Sequence, residues 1–508
     1  MIQLADLQTH WVLSLAAVLV LYSVAGIVYR VYFSPLSKFP GPKLAAATLF
    51  YEAYYDVIKQ GQYTFKIREL HKQYGPIIRI SPYELHIDDP EYYETLYSWT
   101  SPRNKYEYYT VQFGNPKSNF STVDHYHHRL RRQPQNPFFS RASVLRLEPI
   151  INGMIERFCA RIDIFRRSGE PMPLDLAYRC LTTDIVTRYA LNKSWSYLDS
   201  DDFSPKWFET IKATAGMGHL IKQANWILPI CRALPDPVMS RLSPDMMLIL
   251  DWQRDLGRHV QKVIDDVANG TDKHDPILPR TVFHTLIDSD LPQEEISKDR
   301  MTQEAQVIIG AGADTTAHAL STITFHLLNS PEKLVKLQRE LKRAFVDRNT
   351  AMKLTSVEKL PYLSAVIQEG LRLSYGLSTR LARIAPNELL QYKEYSIPAG
   401  TPVGMTSIMM HHNETIFPDS YTFTPERWMD PDVAKKLERY MVTFTRGSRQ
   451  CIGMNLAKAE LFLTIATVFR RYEPELFDTI RERDIDLAYD GFLPQASPEA
   501  KGVRVIFK

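Results

Sequence analysis

Trp11 to Tyr29 carries no charged side chain and is rich in Leu, Val and Ala. As a helix this run extends roughly 28 Å, enough to cross the apolar layer of a bilayer. A cleaved leader would have a shorter apolar core, a basic start and a small-residue cleavage site. This N-terminus carries Asp6 instead, and no such site follows. Arg30, Lys38 and Lys43 come directly after the run, so the positive-inside rule places the rest of the chain in the cytosol. Residues 34–43 read SPLSKFPGPK, where prolines and a glycine exclude helix and favour a stiff, extended connection. The organisation expected is an anchor at 1–33 with its transmembrane part at 11–29, a proline-rich hinge at 34–43, and a body at 44–508.

The body shows no Gly/Ser linker, internal period or composition shift, which favours one large domain over several. Its 61 basic and 58 acidic side chains leave a formal charge of +3, too small a field to recruit nucleic acid. Cys159, Cys180, Cys231 and Cys451 lie far apart with no CxxC spacing, as expected for free thiols in a reducing compartment. Ile77, Ile78 and Ile80, then Glu84 to Ile87, predict a small hairpin around Ser81 and Pro82. Apolar spacing of three and four predicts helices over 145–167, 246–268, 301–329, 331–346 and 357–374, and residues 384–430 turn to short strands. The fold class expected is mainly α with minor β.

The densest chemical signal is Phe444 to Gly453, FTRGSRQCIG, just before a helical start at Met454. A cysteine there has its thiolate favoured by free backbone N–H groups and the helix dipole. Gly447 and Gly453 permit tight turns, and Phe444 can shield the sulfur. Taken alone, such a residue is more often an inert buried thiol. Within 301–329, Gly310-Ala311-Gly312-Ala313-Asp314-Thr315-Thr316 departs from helix propensity, consistent either with a close helix crossing or with a ligand approaching the backbone. Glu369 and Arg372 share one helix face, and Phe423 to Trp428 reads FTPERW. His125 to Arg132 reads HYHHRLRR, without the spacing of a closed metal site.

Together, FxxGxRxCxG at 444–453, AGxDTT at 311–316, ExxR at 369–372 and PERW at 425–428 resemble the cytochrome P450 family in content and order. The resemblance runs from about residue 11 to 460, and its details look like microsomal enzymes of fungal secondary metabolism, including terpenoid oxygenases. It implies a single cytochrome P450-type domain holding haem b, with Cys451 as the axial thiolate ligand to iron. Asp314 and Thr315 would manage protons on the distal side. Glu369, Arg372 and Arg427 would form a supporting network rather than react. Arg383 and Arg449 would meet the haem propionates, as would Arg132 with His128 standing where the family has Trp, or His127 with Arg131 in the shifted register. Ile308, Ala311, Thr315, Leu377 and Ser378, with the stretches 101–124 and 211–244, would select the substrate.

The implied reaction inserts one oxygen atom from O2 into a lipophilic small molecule. Electrons would come from NADPH through cytochrome P450 reductase, with cytochrome b5 as a further donor, at the endoplasmic reticulum membrane. Arg129 and Arg131 are the expected face for an acidic reductase. The rivals are a haem-thiolate isomerase or dehydratase that does not use O2, and a non-catalytic haem-binding membrane protein.

Overall fold

The expected anchor forms a helix over Ile2–Val28 that continues through a π-helical turn, Tyr29–Phe33, and stops where Ser34 becomes extended before Pro35. The computed structural model describes residues 2–203, 205–270 and 280–508. His10–Phe33 has mean hydropathy 2.3 and its apolar window is not buried, so it is long and apolar enough to cross a membrane. The apolar helix thus runs four residues beyond the expected end at residue 29.

The hinge is fixed to the body. Leu36 and Phe39 are buried in the cluster that backs the main sheet. The Arg79 backbone N–H donates to the Pro40 carbonyl at 2.7 Å, and its guanidinium donates to the Arg30 carbonyl at 2.8 Å. Gly41, with φ +149°, lies so close that an added Cβ would stand 2.4 Å from the Arg79 carbonyl oxygen. Glycine is needed there for close approach and for its backbone angle.

The predicted hairpin is present as Ile77–Arg79 and Leu85–Ile87, paired antiparallel. It is one edge of a five-stranded sheet that continues through Pro402–Gly404 and Arg383–Ile384 to Asn104–Lys105. Leu85–Ile87 and Pro402–Gly404 run parallel, and the remaining neighbours are antiparallel.

Helices form the rest of the body. The predicted segments appear as Arg141–Ser168, Pro244–Ala268, Lys298–Leu328, Pro331–Ala344 and Pro361–Ser374. The helix expected over 357–374 is divided, with a short turn at Leu354–Val357 and an extended Leu360 before Pro361. Pro361 has no N–H to donate and restricts the residue before it, so a new helix begins there.

The long helix Lys298–Leu328 packs against Leu174–Leu191, Pro244–Ala268, Pro361–Ser374 and Met454–Arg471. Its approach to Leu174–Leu191 explains one irregular residue. A Cβ on Gly312 would lie 2.8 Å from Val186 Cγ2, and the Thr182 hydroxyl donates to the Ala313 carbonyl at 2.5 Å. Gly312 therefore serves a helix crossing, and it also lines a cavity together with Ala311 and Thr315.

Candidate active site

The cavity, about 330 Å³, lies between the long helix Lys298–Leu328 and the start of Met454–Arg471. Cys451 faces it from the loop before the second helix. Its backbone N–H donates to the Phe444 carbonyl at 3.0 Å, closing the loop on itself. Gly447 has φ +75°, and a Cβ there would stand 2.3 Å from the Tyr97 carbonyl oxygen. A side chain at this position would push the loop off its support. Burial raises the Cys451 thiol above its ordinary range, whereas the N–H groups of Gly453 and Met454 and the charge of Arg132 pull it down. Phe444 and Gly453 also line the cavity beside the sulfur.

One wall carries an unusual concentration of positive charge. Lys105, His128, Arg132, Arg383 and Arg449 all line it, and among the described residues no carboxylate forms an ion pair with any of them. Lys105 and Arg383 are direct cross-strand partners, an arrangement of like charges that destabilises a sheet. Arg449 donates to the carbonyls of Thr122, Val123 and Asp124 at 2.6, 2.8 and 2.9 Å, yet its buried Nε has no acceptor. Burial, then Arg383, lowers its guanidinium to about 9. Lys105 is pushed well below its usual range by burial and then by Arg449, and the same two causes push His128 down. Such a wall is built to receive anionic groups.

The geometry separates the two registers considered for the HYHHRLRR helix. His128 and Arg132 face the cavity. His127 and Arg131 instead meet Glu295, at 2.6 Å from His127 Nε2 and 2.6 Å from Arg131 Nε. Arg131 is therefore a buried structural cation and not part of a surface for a reductase, while Arg129 is exposed. Lys105 and Tyr109, whose hydroxyl accepts from Arg383 Nη1 at 3.1 Å, lie in the stretch 101–124 expected to select the substrate, but the sequence singles out neither as a partner of the arginines. Their only signal is the strand pairing that places residue 105 opposite residue 383.

Two expected site residues fall elsewhere. Asp314 does not line the cavity; its carboxylate turns to the neighbouring helix and pairs with Arg179 at 2.7 Å. Thr315 and Thr316 face the cavity, whereas the Asp314 side chain leaves the helix towards Leu174–Leu191, where Arg179 holds it. The Thr315 hydroxyl donates to the Ala311 carbonyl at 2.8 Å. Ser378 is also outside the lining. Its hydroxyl donates to Asp490 Oδ1 at 2.7 Å, because residue 378 enters the loop beneath the hairpin 489–495 rather than the cavity wall. Ile308, Ala311 and Leu377 do line it.

Behind Cys451, Glu369 and Arg372 are fully buried and joined by two contacts of 3.0 and 2.8 Å. Glu369 also accepts from Thr424 N, Arg427 Nε and Trp428 Nε1 at 2.9, 3.1 and 2.9 Å. Arg372 donates to the carbonyls of His411 and Ser420 at 2.8 and 2.6 Å. His411 returns a bond to the Arg372 carbonyl through Nδ1 and accepts from Val442 N through Nε2 at 3.0 Å. With the Thr443 hydroxyl on the Leu371 carbonyl at 2.8 Å, this ties the helix to the entry of the Cys451 loop.

Residues 42–499 match the family model for cytochrome P450. Among similar proteins, cytochrome P450 monooxygenase MO6277 of Ascocoryne sarcoides is 52% identical over 97% of this chain and 98% of its own length. Tryptophan 6-hydroxylase fscE of Fusarium equiseti is 43% identical over 97% and 96%. N-acetyltryptophan 6-hydroxylase ivoC of Emericella nidulans is 42% identical over 97% and 96%. The fold matches the crystal structure of a cytochrome P450, CYP102L1, with a TM-score of 0.71 at 14% identity, covering 89% of this chain and 96% of that one. The chain belongs to the cytochrome P450 family of monooxygenases, which carry haem b on a cysteine thiolate.

Proposed function

We propose that Cys451 would hold the haem iron as a thiolate and that Lys105, His128, Arg132, Arg383 and Arg449 would hold the haem propionates. The observation that carries this reading is the wall of cations without counter-charges, in the same cavity as a cysteine at a helix start. A dianionic group relieves their mutual repulsion and supplies the acceptor that Arg449 Nε lacks. Haem, when bound, supplies the activation of O2 and insertion of one oxygen atom into a lipophilic substrate.

The remaining work falls to the protein. Gly453 and Met454 N–H groups stabilise the sulfur charge, and Phe444 limits water around it. The Glu369–Arg372–Arg427 network sets the loop that presents Cys451. Thr315 brings a hydroxyl to the cavity face of the long helix, able to donate or accept a proton at Oγ1. Asp314 assists by fixing that helix against Arg179 rather than by meeting substrate. An apolar helix at His10–Phe33 supports a single-pass anchor in the endoplasmic reticulum membrane, with a cytosolic body at 44–508 that takes electrons from NADPH through a flavoprotein reductase. The named relatives support a place in fungal secondary metabolism, with a ring hydroxylation or another oxygen insertion as the step.

Full-length protein with haem and carbon monoxide under reducing conditions tests the assignment: Cys451→Ala should lose the thiolate-type absorption band, and a normal band in that variant would refute it. NADPH-dependent oxygen uptake with reductase, matched by product, separates the monooxygenase from an isomerase or dehydratase that leaves O2 untouched.

A further inference from the structure

Three phenylalanines meet at the cavity, at Phe113, Phe120 and Phe492, and each is half-buried against it. Phe113 and Phe492 have centroids 4.7 Å apart at 78°, and Phe120 completes the corner at 6.1 Å and 5.8 Å. Lys105 Nζ lies 3.7 Å from the Phe120 centroid, so one face of that ring is taken by a cation of the charged wall. The pair left to engage a ligand is Phe113 and Phe492, one near the start of the long helix and one at a hairpin tip.

Phe492 is held in an unusual way. It is the single residue between Gly491 and Leu493, which pair with each other, and its φ is +73°. Glycine occupies that region without strain, and a benzyl side chain does not. Asp490 Oδ1 accepts from Phe492 N at 2.8 Å and from the Ser378 hydroxyl at 2.7 Å, while Asp490 Oδ2 accepts from the Thr64 hydroxyl at 2.8 Å. Ser378 N donates to the Phe492 carbonyl at 3.1 Å. A buried carboxylate is thus spent on keeping one strained aromatic residue in place, and its ring lines the cavity.

Aromatic rings are electron-rich on the face and electron-poor at the edge, so two rings near a right angle present complementary surfaces to a third flat ring. A puckered saturated ring offers neither the flatness nor the charge pattern. We infer that this cavity selects a planar aromatic ring system over a saturated ring system of the same skeleton, with Asp490 and Ser378 as positioning residues for Phe492. The inference rests on the monooxygenase cavity assigned above.

Equilibrium dialysis of the haem-loaded, full-length protein with 2-naphthol and decahydro-2-naphthol tests it, each dissociation constant being normalised by the compound's water–octanol partition. The aromatic compound should bind about tenfold tighter. Phe113→Leu and Phe492→Leu should each bring the ratio towards one, Ser378→Ala should lower it, and Phe492→Tyr should preserve it. Equal normalised binding by the wild type, no binding of either compound, or a ratio that survives in the Phe113→Leu/Phe492→Leu double variant would overturn the inference. Failure of the underlying assignment is distinct, because it shows as a thiolate-type carbon monoxide band in Cys451→Ala whatever the ratio.

Discussion

The Glu369–Arg372 network and the Lys105–Arg449 wall both bury several charges within reach of the Cys451 loop, and they treat those charges in opposite ways. In the network each ionic group meets an opposite charge or a carbonyl, at distances of 2.6–3.1 Å for the principal contacts. In the wall, cations face cations, and a guanidinium nitrogen is left without an acceptor. The first arrangement is satisfied within the folded chain, so that removing one partner is costly; the second costs stability until an anion arrives. The satisfied cluster fits a scaffold, and the unsatisfied one fits the proposed propionate site.

The largest expected effect breaks the scaffold. Glu369→Ala leaves Arg372 buried without its partner and should cost about 3–5 kcal/mol in denaturant unfolding, with a parallel loss of haem content. A variant within about 1 kcal/mol of wild type would show that the network is not structural.

Acid should weaken the same region next. Burial and the Arg372 charge lower His411 to about 3, while the unfolded imidazole titrates near 6.5. Between these values the unfolded chain binds a proton that the folded chain refuses, so stability falls as pH drops from about 6.5 towards 3. The contribution is about 1.4 kcal/mol per pH unit. Protonation also places a hydrogen on Nε2, where Val442 N–H already donates. His411→Gln should remove one proton's share of the slope in unfolding measured from pH 7 to 5; an unchanged slope would exclude this histidine as its source.

The wall should respond with the other sign. Lys105→Met removes one cation from beside Arg383 and Arg449, so the apoprotein should melt at the same temperature or higher. The loaded protein should surrender haem to an acceptor about tenfold faster. A destabilised apoprotein with normal haem retention would place Lys105 in the scaffold class instead.

The long helix contains both classes side by side, and the smallest effect lies there. Thr315→Ala should lower the fraction of NADPH consumed that appears as product by about tenfold, less than the roughly 10²–10⁴-fold of a full general acid because the reaction still consumes NADPH. Asp314→Asn, which alters an ion pair facing away from the cavity, should change that fraction only a few-fold and act mainly on thermal stability. Equal uncoupling by the two variants would return Asp314 to the proton path.

What the sequence disclosed divides along the same line. Five of the longer helices, the hairpin at Ile77–Ile87 and the Glu369–Arg372 pair were legible because their determinants are local, namely apolar spacing, turn residues and an i, i+3 pair, whereas Leu174–Leu191, buried nearly all round, lacks the one-sided spacing that would reveal it. Cys451 was legible because its loop and helix start are contiguous. The partition of Asp314 from Thr315 was not, since adjacent residues share a motif while their side chains leave the helix in different directions. Lys105, Tyr109 and Phe492 were not singled out because their positions depend on strand pairing and hairpin packing between segments hundreds of residues apart. Ser378 was assigned to the right loop and the wrong surface, for the same reason.

The hairpin that carries Phe492 has a consequence for how such a protein can diversify. Its framework is secured by Asp490, Ser378 and Thr64 through groups that make no demand on the identity of the side chain at the tip. The tip faces the cavity, and Cys451 and the cation wall lie on other segments. A single codon change at position 492 therefore alters the side chain presented to the cavity while the Cys451 loop and the cation wall are left as they are, and a glycine there would even relax the backbone. Novelty of substrate is separated in this chain from the risk of losing the catalyst.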